Sequence, residues 1–509
     1  MSAPSVGAVL RSSAEGRGDK PALVAGDRSI TYSELEERAG RVAGALHAAG
    51  VRKGDRVALM LGNVPEFVEA LHGAWRLGAV VAPLNVMLTA EEASHVLADA
   101  QAVAVISGPE HLTTVAQVRD GVAELEHVFV TGPGPAPAGV RSYEEALRVS
   151  SEPSPVDVVE EDLALLAYTA GTTARPKGAM LTHGNLLANL EQMAQVPALA
   201  EAETDVVLLA LPLFHIYALN VVLGITIREG ATAVLVERFD PVATLELVQL
   251  HKVTVLFGAP PMFSAWLQAA GSRDFDLSSV RLAVSGAAAL PGDVLTAFRR
   301  RLGVTIWEGY GLTETAPAVT SNALGDVAKP DSIGLVLPGV ELRLVDDHGR
   351  EIEEGDPGEI VIRGPNVFKG YWNRQEESDA AFSDGWLRTG DIAYRDQDGY
   401  LFIVDRTKDI IIVSGFNVFP KEVEEAIGRH PKVAEVAVIG VPDERTGEAV
   451  KAHVVAEPGQ SVTEEEILDH CRETLARFKW PKSVELVDEL PRHVTGKVLR
   501  RALRELPQA

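Results

Sequence analysis

Tyr168-Thr-Ala-Gly-Thr-Thr-Ala-Arg-Pro-Lys-Gly178 follows directly on Leu-Ala-Leu-Leu-Ala at 163–167. An apolar run of this length reads as a buried strand. Small residues and hydroxyls at its end make a loop whose backbone amides and threonine side chains can wrap phosphate oxygens, and Lys177 adds a positive charge. The Gly-x-x-x-x-Gly-Lys-Ser/Thr order of a Walker A loop is absent. By itself a Gly/Thr loop after a strand is equally an ordinary turn, so its meaning depends on the sequence around it.

That sequence repeats the strand-and-helix texture. Thr31 and Glu34 have capping-box spacing, and Leu35, Ala39, Val42, Leu46 and Ala49 share one helical face before Gly50. Arg56-Val-Ala-Leu-Met-Leu61 reads as a strand, 65–77 as a helix and Ala79-Val-Val-Ala-Pro83 as the next strand. Such βαβ spacing predicts a mostly parallel sheet, and Val253-Thr-Val-Leu-Phe257 and Leu282-Ala-Val-Ser285 continue it. From Asp331 the texture changes to short strands set off by Gly, Pro and Asp, as in 339–345 and 358–363, which predicts an antiparallel subdomain. The last hundred or so residues read as a smaller α+β unit, with helices near 420–429 and 463–478. Ile467, Cys471, Leu475 and Phe478 share a face of the second helix, so Cys471 is expected to pack in a core. Gly132-Pro-Gly-Pro-Ala-Pro-Ala-Gly139 is a surface loop by composition. The fold class expected is α/β: a large N-terminal domain of mostly parallel sheets flanked by helices, with an antiparallel subdomain, and a small α+β C-terminal domain.

Composition narrows the function. The chain has 509 residues, with 47 Lys+Arg against 72 Asp+Glu and a formal net charge of −25. Nucleic-acid binders need basic surface to neutralise phosphates, so no nucleic-acid partner is expected. The length exceeds a single hydrophobic core. One cysteine forms no internal disulfide, and the N-terminus lacks a secretory pattern, so a cytoplasmic protein is expected. Residues 206–227 form a stretch of 22 without a formal charge, long enough to cross a bilayer. Pro212, His215 and Asn220 interrupt it and no basic cluster flanks it, which predicts a buried strand, turn and helix and no transmembrane segment.

Six further strings follow one another along the chain: Ser285-Gly-Ala-Ala-Ala-Leu-Pro291, Glu308-Gly-Tyr-Gly-Leu-Thr-Glu314, Trp386-Leu-Arg-Thr-Gly-Asp391, Asp405-Arg-Thr-Lys-Asp409, Ser414-Gly-Phe-Asn417 and Pro491-Arg-His-Val-Thr-Gly-Lys497. With the loop at 168–178 they resemble, in order, the signature of the adenylate-forming superfamily of acyl-CoA synthetases, peptide-synthetase adenylation domains and beetle luciferases. Within it the chain is most like a fatty acyl-CoA or hydroxycinnamoyl-CoA ligase. The resemblance spans almost the whole chain and implies a large domain at 1–404 and a mobile lid at 405–509, with the hinge at Asp405.

The resemblance also implies roles. Thr169, Ala170, Gly171, Thr172, Thr173 and Lys177 would hold the ATP phosphates. Gly286, Ala287 and Ala288 would lie beside adenine, with Glu308, Gly309, Tyr310, Gly311 and Thr313 completing the nucleotide site; Tyr310 would offer adenine its aromatic face. Glu314, with Thr172 or Thr173, would bind Mg²⁺. Asp391 would accept from the ribose hydroxyls, Arg406 and Lys408 would approach the nucleotide, and Gly415 and Phe416 would flank the arm of coenzyme A. Lys497 is the implied catalytic lysine: a carboxylate attacking the α-phosphorus brings two anions together, and a lysine between them offsets the repulsion. Taken singly, each has a plain alternative: a solvated Glu314, a packing Tyr310, a turn-forming Asp391 or a surface Lys497.

Leu211-Pro-Leu-Phe-His-Ile-Tyr-Ala-Leu-Asn220 resembles the start of the acyl-pocket helix. His215, counted with the catalytic residues, would sit near the carboxylate, with Tyr217, Val221, Ala287, Gly311, Ala316 and Pro317 around the acyl group. No acidic residue in 206–227 is available for a substrate ammonium, which favours a medium- or long-chain fatty acid. An aryl acid such as a hydroxycinnamate or benzoate is the alternative. The other readings are an acyl-AMP ligase that loads a carrier protein, a luciferase-like oxygenase and an inactive relative. ATP, Mg²⁺ and coenzyme A are the expected cofactors, and a homodimer is compatible with the sequence. Two positions depart from the family loop: Ala170 stands for a serine and Ala174 for a glycine. The first removes a hydroxyl, and an alanine where positive φ is wanted costs about 1 kcal/mol.

Overall fold

The computed structural model describes residues 5–119, 121–169, 176–346, 348–353, 355–406, 409, 411–413, 416–443, 446–475, 477–492 and 498–505. The chain divides into two units, 1–341 with 363–387 and 342–362 with 388–509.

Among the described residues the first unit contains two large sheets. One runs Arg141–Ser142, His127–Val130, Ala102–Ser107, Arg56–Met60, Val80–Pro83, Leu163–Thr169, Lys177–Thr182. Its neighbours are parallel except for the last pair, where Lys177–Thr182 returns antiparallel. The other sheet runs Leu335–Val336, Ala318–Ser321, Ile306–Gly311, Leu282–Ser285, Val255–Gly258, Val206–Leu209, Thr232–Leu235, Pro21–Ala25, Arg28–Thr31. Its five central pairings are parallel and its edges antiparallel. The inner strands are buried on both faces, which is why they read as continuous apolar runs.

Helices begin where the sequence placed caps. Thr31 accepts from the Glu34 N–H while the Glu34 carboxylate accepts from the Thr31 N–H, and the helix Tyr32–Ala48 follows. Thr182 and Asn185 make the same reciprocal pair at the helix His183–Ala194. Leu35, Ala39, Val42 and Leu46 are buried in the core they share with both sheets. The segment 206–227 is the strand Val206–Leu209, a turn, a π-helix Tyr217–Gly224 and a short helix Ile225–Glu229. No helix among the described residues is long and apolar enough to cross a membrane.

The second unit holds most of an antiparallel sheet built from Glu341–Val345, Gly358–Arg363, Trp386–Arg395 and Leu401–Arg406, as the change of texture after Asp331 predicts. It also holds a sheet ordered Phe416–Val418, Ile411–Val413, Gly447–Ala456, Val433–Asp443, with Ser483–Leu486 parallel to Gly447–Ala456. The helices Pro420–Gly428 and Glu464–Thr474 contribute Val423, Ile427, Ile467 and Cys471 to its core. Cys471 is fully buried, and burial pushes its thiol up to about 11. The expected helix 463–478 is shorter than the periodicity suggests. Leu475 is already extended, and the Trp480 indole takes its carbonyl at 2.8 Å, so an aromatic anchor ends the helix before its apolar stripe does.

Candidate active site

The strand Leu163–Thr169 and its antiparallel return Lys177–Thr182 pair Thr169 with Lys177. Tyr168, Thr169, Lys177 and Gly178 are therefore strand residues, and the loop is narrower than the eleven-residue string suggests. Ala170, Gly171, Thr172, Thr173 and Ala174 lie outside the described residues. The Lys177 ammonium stands 5.4 Å from the centroid of the Tyr371 ring and 3.8 Å from Glu377 Oε1. A cation over an aromatic face, with its carboxylate partner at the long end of ion-pair distance, can still turn its charge to an anion.

Glu314 sits in the single turn Thr313–Thr315 just beyond the strand Ile306–Gly311. The Tyr371 hydroxyl donates to its Oε1 at 2.8 Å, and the Phe368 N–H donates to its carbonyl at 2.9 Å. Burial raises the Tyr371 phenol well above its ordinary range, and the neighbouring Glu314 charge raises it further, so the hydroxyl remains a donor. Gly309, Tyr310 and Gly311 form strand, although Gly-Tyr-Gly suggests a turn by composition: they pair with Ser321, Thr320 and Ala318, with a bulge between Tyr310 and Gly311. At Gly311 a β-carbon would lie 1.9 Å from the Pro317 carbonyl oxygen.

Buried amides fix the segment that follows. Asn189 donates to the Ala318 carbonyl at 2.8 Å and accepts from the Ala318 N–H at 3.1 Å, the pattern of a strand neighbour. Asn366 donates to the Thr315 carbonyl at 2.8 Å, and Asn220 to the Ala316 carbonyl at 2.7 Å. Ala316 is held in the left-handed region at φ 65°. On the adenine side, the Leu290 N–H donates to Glu308 Oε1 at 3.0 Å, tying the segment 286–290 to the next strand. Ala287 also has positive φ, 71°.

The expected acyl residues are partly gathered. Asn63 holds the turn before His215: it accepts from the Leu213 N–H at 2.8 Å and donates to the Leu211 carbonyl at 2.9 Å. His215 is half-buried, and its Nδ1 accepts from the Tyr217 N–H at 3.3 Å. The buried Tyr217 donates to the Val284 carbonyl at 3.3 Å and meets Phe257 edge-on. Its ring lies against Gly286, where a β-carbon would come within 3.1 Å of it. Val221 is buried, as are Ala316 and Pro317.

Within the second unit, Asp391 is 3% exposed, follows the positive-φ Gly390 and donates its N–H to Thr389 Oγ1 at 3.1 Å. It lies opposite Arg406 in the strand register, and Ile392 lies opposite Asp405. The side chains of Asp405, Arg406 and Phe416 lie outside the described residues, as do Lys408, Gly415 and Lys497.

Tyr371, Asn63, Asn189, Asn220 and Asn366 were not expected as site residues. The signal for Tyr371 was Gly370-Tyr-Trp, an aromatic pair after a glycine that adopts φ 122°. The amides gave no comparable signal, because the backbone groups they hold lie far away in sequence.

The AMP-binding enzyme family matches residues 10–372. The chain belongs to the AMP-binding enzyme family. In this AMP-binding enzyme, 422–497 match the family's C-terminal domain. Feruloyl-CoA synthase from Amycolatopsis sp. is 42% identical over 480 residues, 94% of each chain. Long-chain-fatty-acid–CoA ligase from Yersinia pestis is 40% identical, over 96% of this chain and 92% of its own. The crystal structure of ATP-bound MatB from Rhodopseudomonas palustris superposes with a TM-score of 0.91 at 36% identity, covering 99% of this chain and 98% of MatB.

The AMP-binding enzyme is thus an adenylate-forming acyl- or aryl-CoA ligase that uses ATP and coenzyme A, and Mg²⁺ is the usual ion of its family. The residues fit that ion. Among the described residues no group of three or more His, Cys, Asp or Glu is placed to hold a metal by itself. One oriented carboxylate combined with phosphate oxygens and water is the donor set Mg²⁺ takes in nucleotide sites. Tyr371 holds one oxygen of Glu314 in a set direction.

Proposed function

We propose that this ligase activates an apolar carboxylic acid without an amino group, a medium- or long-chain fatty acid in the first place, and passes the acyl group to coenzyme A. The substrate carboxylate attacks the α-phosphorus of ATP, pyrophosphate leaves, and acyl-AMP forms. The thiol of coenzyme A, losing its proton, then attacks the acyl carbon, and AMP leaves. The observation that carries the substrate reading is the helix after His215: it presents Tyr217 and Val221 from a 22-residue run without one charged side chain, so an ammonium would find no counter-charge there.

In this reading Lys177 meets the phosphates, His215 approaches the carboxylate, Asp391 takes the ribose, and Lys497 offsets charge at the α-phosphorus. Mg²⁺ on Glu314 would supply further charge neutralisation at the phosphates. Asp405 is the pivot of the lid that follows it, and Gly415 and Phe416 flank the pantetheine arm. An aryl acid is the second reading. It is favoured by the buried Tyr217 hydroxyl, which donates to the Val284 carbonyl and has an oxygen that can accept from a ring bearing a phenol.

A panel of aliphatic, hydroxycinnamic and benzoic acids, assayed for AMP release with and without coenzyme A, tests both readings. Release from aliphatic acids that rises with coenzyme A supports the first, and turnover confined to ring acids replaces it with the second. AMP release indifferent to coenzyme A on every acid overturns both. Lys497→Ala should lower adenylation by about 100-fold or more while supplied acyl-AMP still forms thioester. Full adenylation in that variant would assign the role to another lysine.

A further inference from the structure

Asp99 lies in the last turn of the helix Ala90–Ala100, where the helix dipole disfavours a carboxylate. Its side chain is 8% exposed. Both oxygens are engaged by groups remote in sequence: the Tyr168 hydroxyl donates to Oδ2 at 2.9 Å, and Arg374 Nη2 donates to Oδ1 at 2.8 Å. The Trp372 indole donates to the Asp99 carbonyl at 3.0 Å. The Arg56 guanidinium, which donates to the next two carbonyls at Ala100 and Gln101, stands 5.7 Å from the Trp372 ring centroid.

Each partner adjoins the nucleotide site. Tyr168 immediately precedes Thr169 and pairs with Gly178 across the two stems of the loop. Trp372 and Arg374 follow Tyr371, whose hydroxyl holds Glu314 and whose ring faces Lys177. The backbone links the same pieces: the Trp372 N–H donates to the Gly178 carbonyl at 2.8 Å, and the Met180 N–H to the Gly370 carbonyl at 2.9 Å. An apolar side chain at position 99 would fill the space, but it would leave a buried phenol and a partly buried guanidinium without their acceptor. A placement that breaks a local rule and yet satisfies distant groups near the chemistry points to function more than to helix stability.

We propose that Asp99 is a positioning residue for the adenylation half-reaction, fixing the stem at Tyr168 and the segment 371–374 to one helix so that Lys177 and Glu314 keep a set spacing. The inference rests on the reading of 169–178 as the phosphate loop.

Asp99→Asn keeps the volume and one acceptor and removes the charge. The KM for ATP in acyl-AMP formation should rise about fivefold or more, and the ATP dissociation constant measured by calorimetry should rise with it. Conversion of supplied acyl-AMP to thioester should change by no more than about twofold. Equal losses in both half-reactions, as general destabilisation would produce, overturn the inference, and so does an unchanged KM for ATP. Tyr168→Phe deletes a single hydroxyl and carries the same expectation should Asp99→Asn fail to fold. Lys177→Met separates the two levels. Unchanged ATP affinity in that variant removes the phosphate-loop reading and the inference with it, whereas weakened affinity there with normal affinity in Asp99→Asn removes only the role of Asp99.

Discussion

A tyrosine that keeps its proton and donates to a carboxylate makes a directional claim. Tyr371 holds one oxygen of Glu314 and limits how the carboxylate rotates, and in the proposed function the other oxygen is the one left for Mg²⁺. Tyr371→Phe should therefore raise the Mg²⁺ concentration needed for half-maximal pyrophosphate release by about tenfold, and an unchanged Mg²⁺ titration would deprive the hydroxyl of that role. A second residue reports on pH. Glu201 is buried with one oxygen unpartnered among the described residues, and burial, reinforced by Asp205, raises its carboxyl to about 8. The folded state thus binds this proton more tightly than the unfolded chain does, for which 4.5 is the ordinary value. Its contribution to stability is present below that value and is lost as pH rises through 8. Glu201→Gln should match the parent in thermal midpoint near pH 5 and exceed it by roughly 2 °C or more near pH 9; equal midpoints at both pH values would mean that the carboxyl ionises without cost.

At the scale of elements, the segment 312–318 depends on amides that stand in for missing strand neighbours. Asn189 exchanges two hydrogen bonds with Ala318, so Asn189→Leu takes the acceptor from the partly buried Ala318 N–H and leaves the Ala318 carbonyl to the Asn366 amide, 3.2 Å away. Urea unfolding should show a loss of about 2–3 kcal/mol, and a loss below about 0.5 kcal/mol would show that water replaces the amide. These amides also mark where the sequence becomes hard to read. The Thr31 box, the parallel strands and the antiparallel texture after Asp331 are local patterns, and the structure contains them. Asn189 and Asn220 interrupt apolar helical faces, and nothing near them in sequence reveals the carbonyls they bind. The string Gly309-Tyr-Gly311 looks like a turn by composition, yet its glycines are required because Gly311 passes against the Pro317 carbonyl while remaining in a strand. The helix at 463–478 ends early for a different, local reason: the Trp480 indole, five residues on, takes the carbonyl of Leu475.

Over the whole molecule, order along the chain was more informative than any single site. Seven strings in sequence pointed to the family to which the chain belongs, although isolated residues such as Glu314 have ordinary explanations. Charge adds an independent expectation. Residues 405–509 carry 16 Lys+Arg and 19 Asp+Glu, a net of −3, so residues 1–404 hold −22 of the total −25. Within 471–501, 8 basic residues against 4 acidic leave a local +4 around the segment that ends in Lys497 and Arg500. Self-repulsion in a chain this acidic is screened by salt, so the thermal midpoint should climb between about 10 and 150 mM NaCl. A falling midpoint would show that the surface ion pairs outweigh the net charge. The close passage at Gly311 bears on how this ligase can be given new acids. Any β-carbon there collides with main chain, so a substitution at 311 must displace the Pro317 carbonyl before it can act on selectivity. The left-handed Ala287 restricts branched replacements in the same way. A saturation library belongs instead at Ala288 and Val221, whose backbones lie outside the left-handed region, with the replacements at the buried Val221 kept close to its volume.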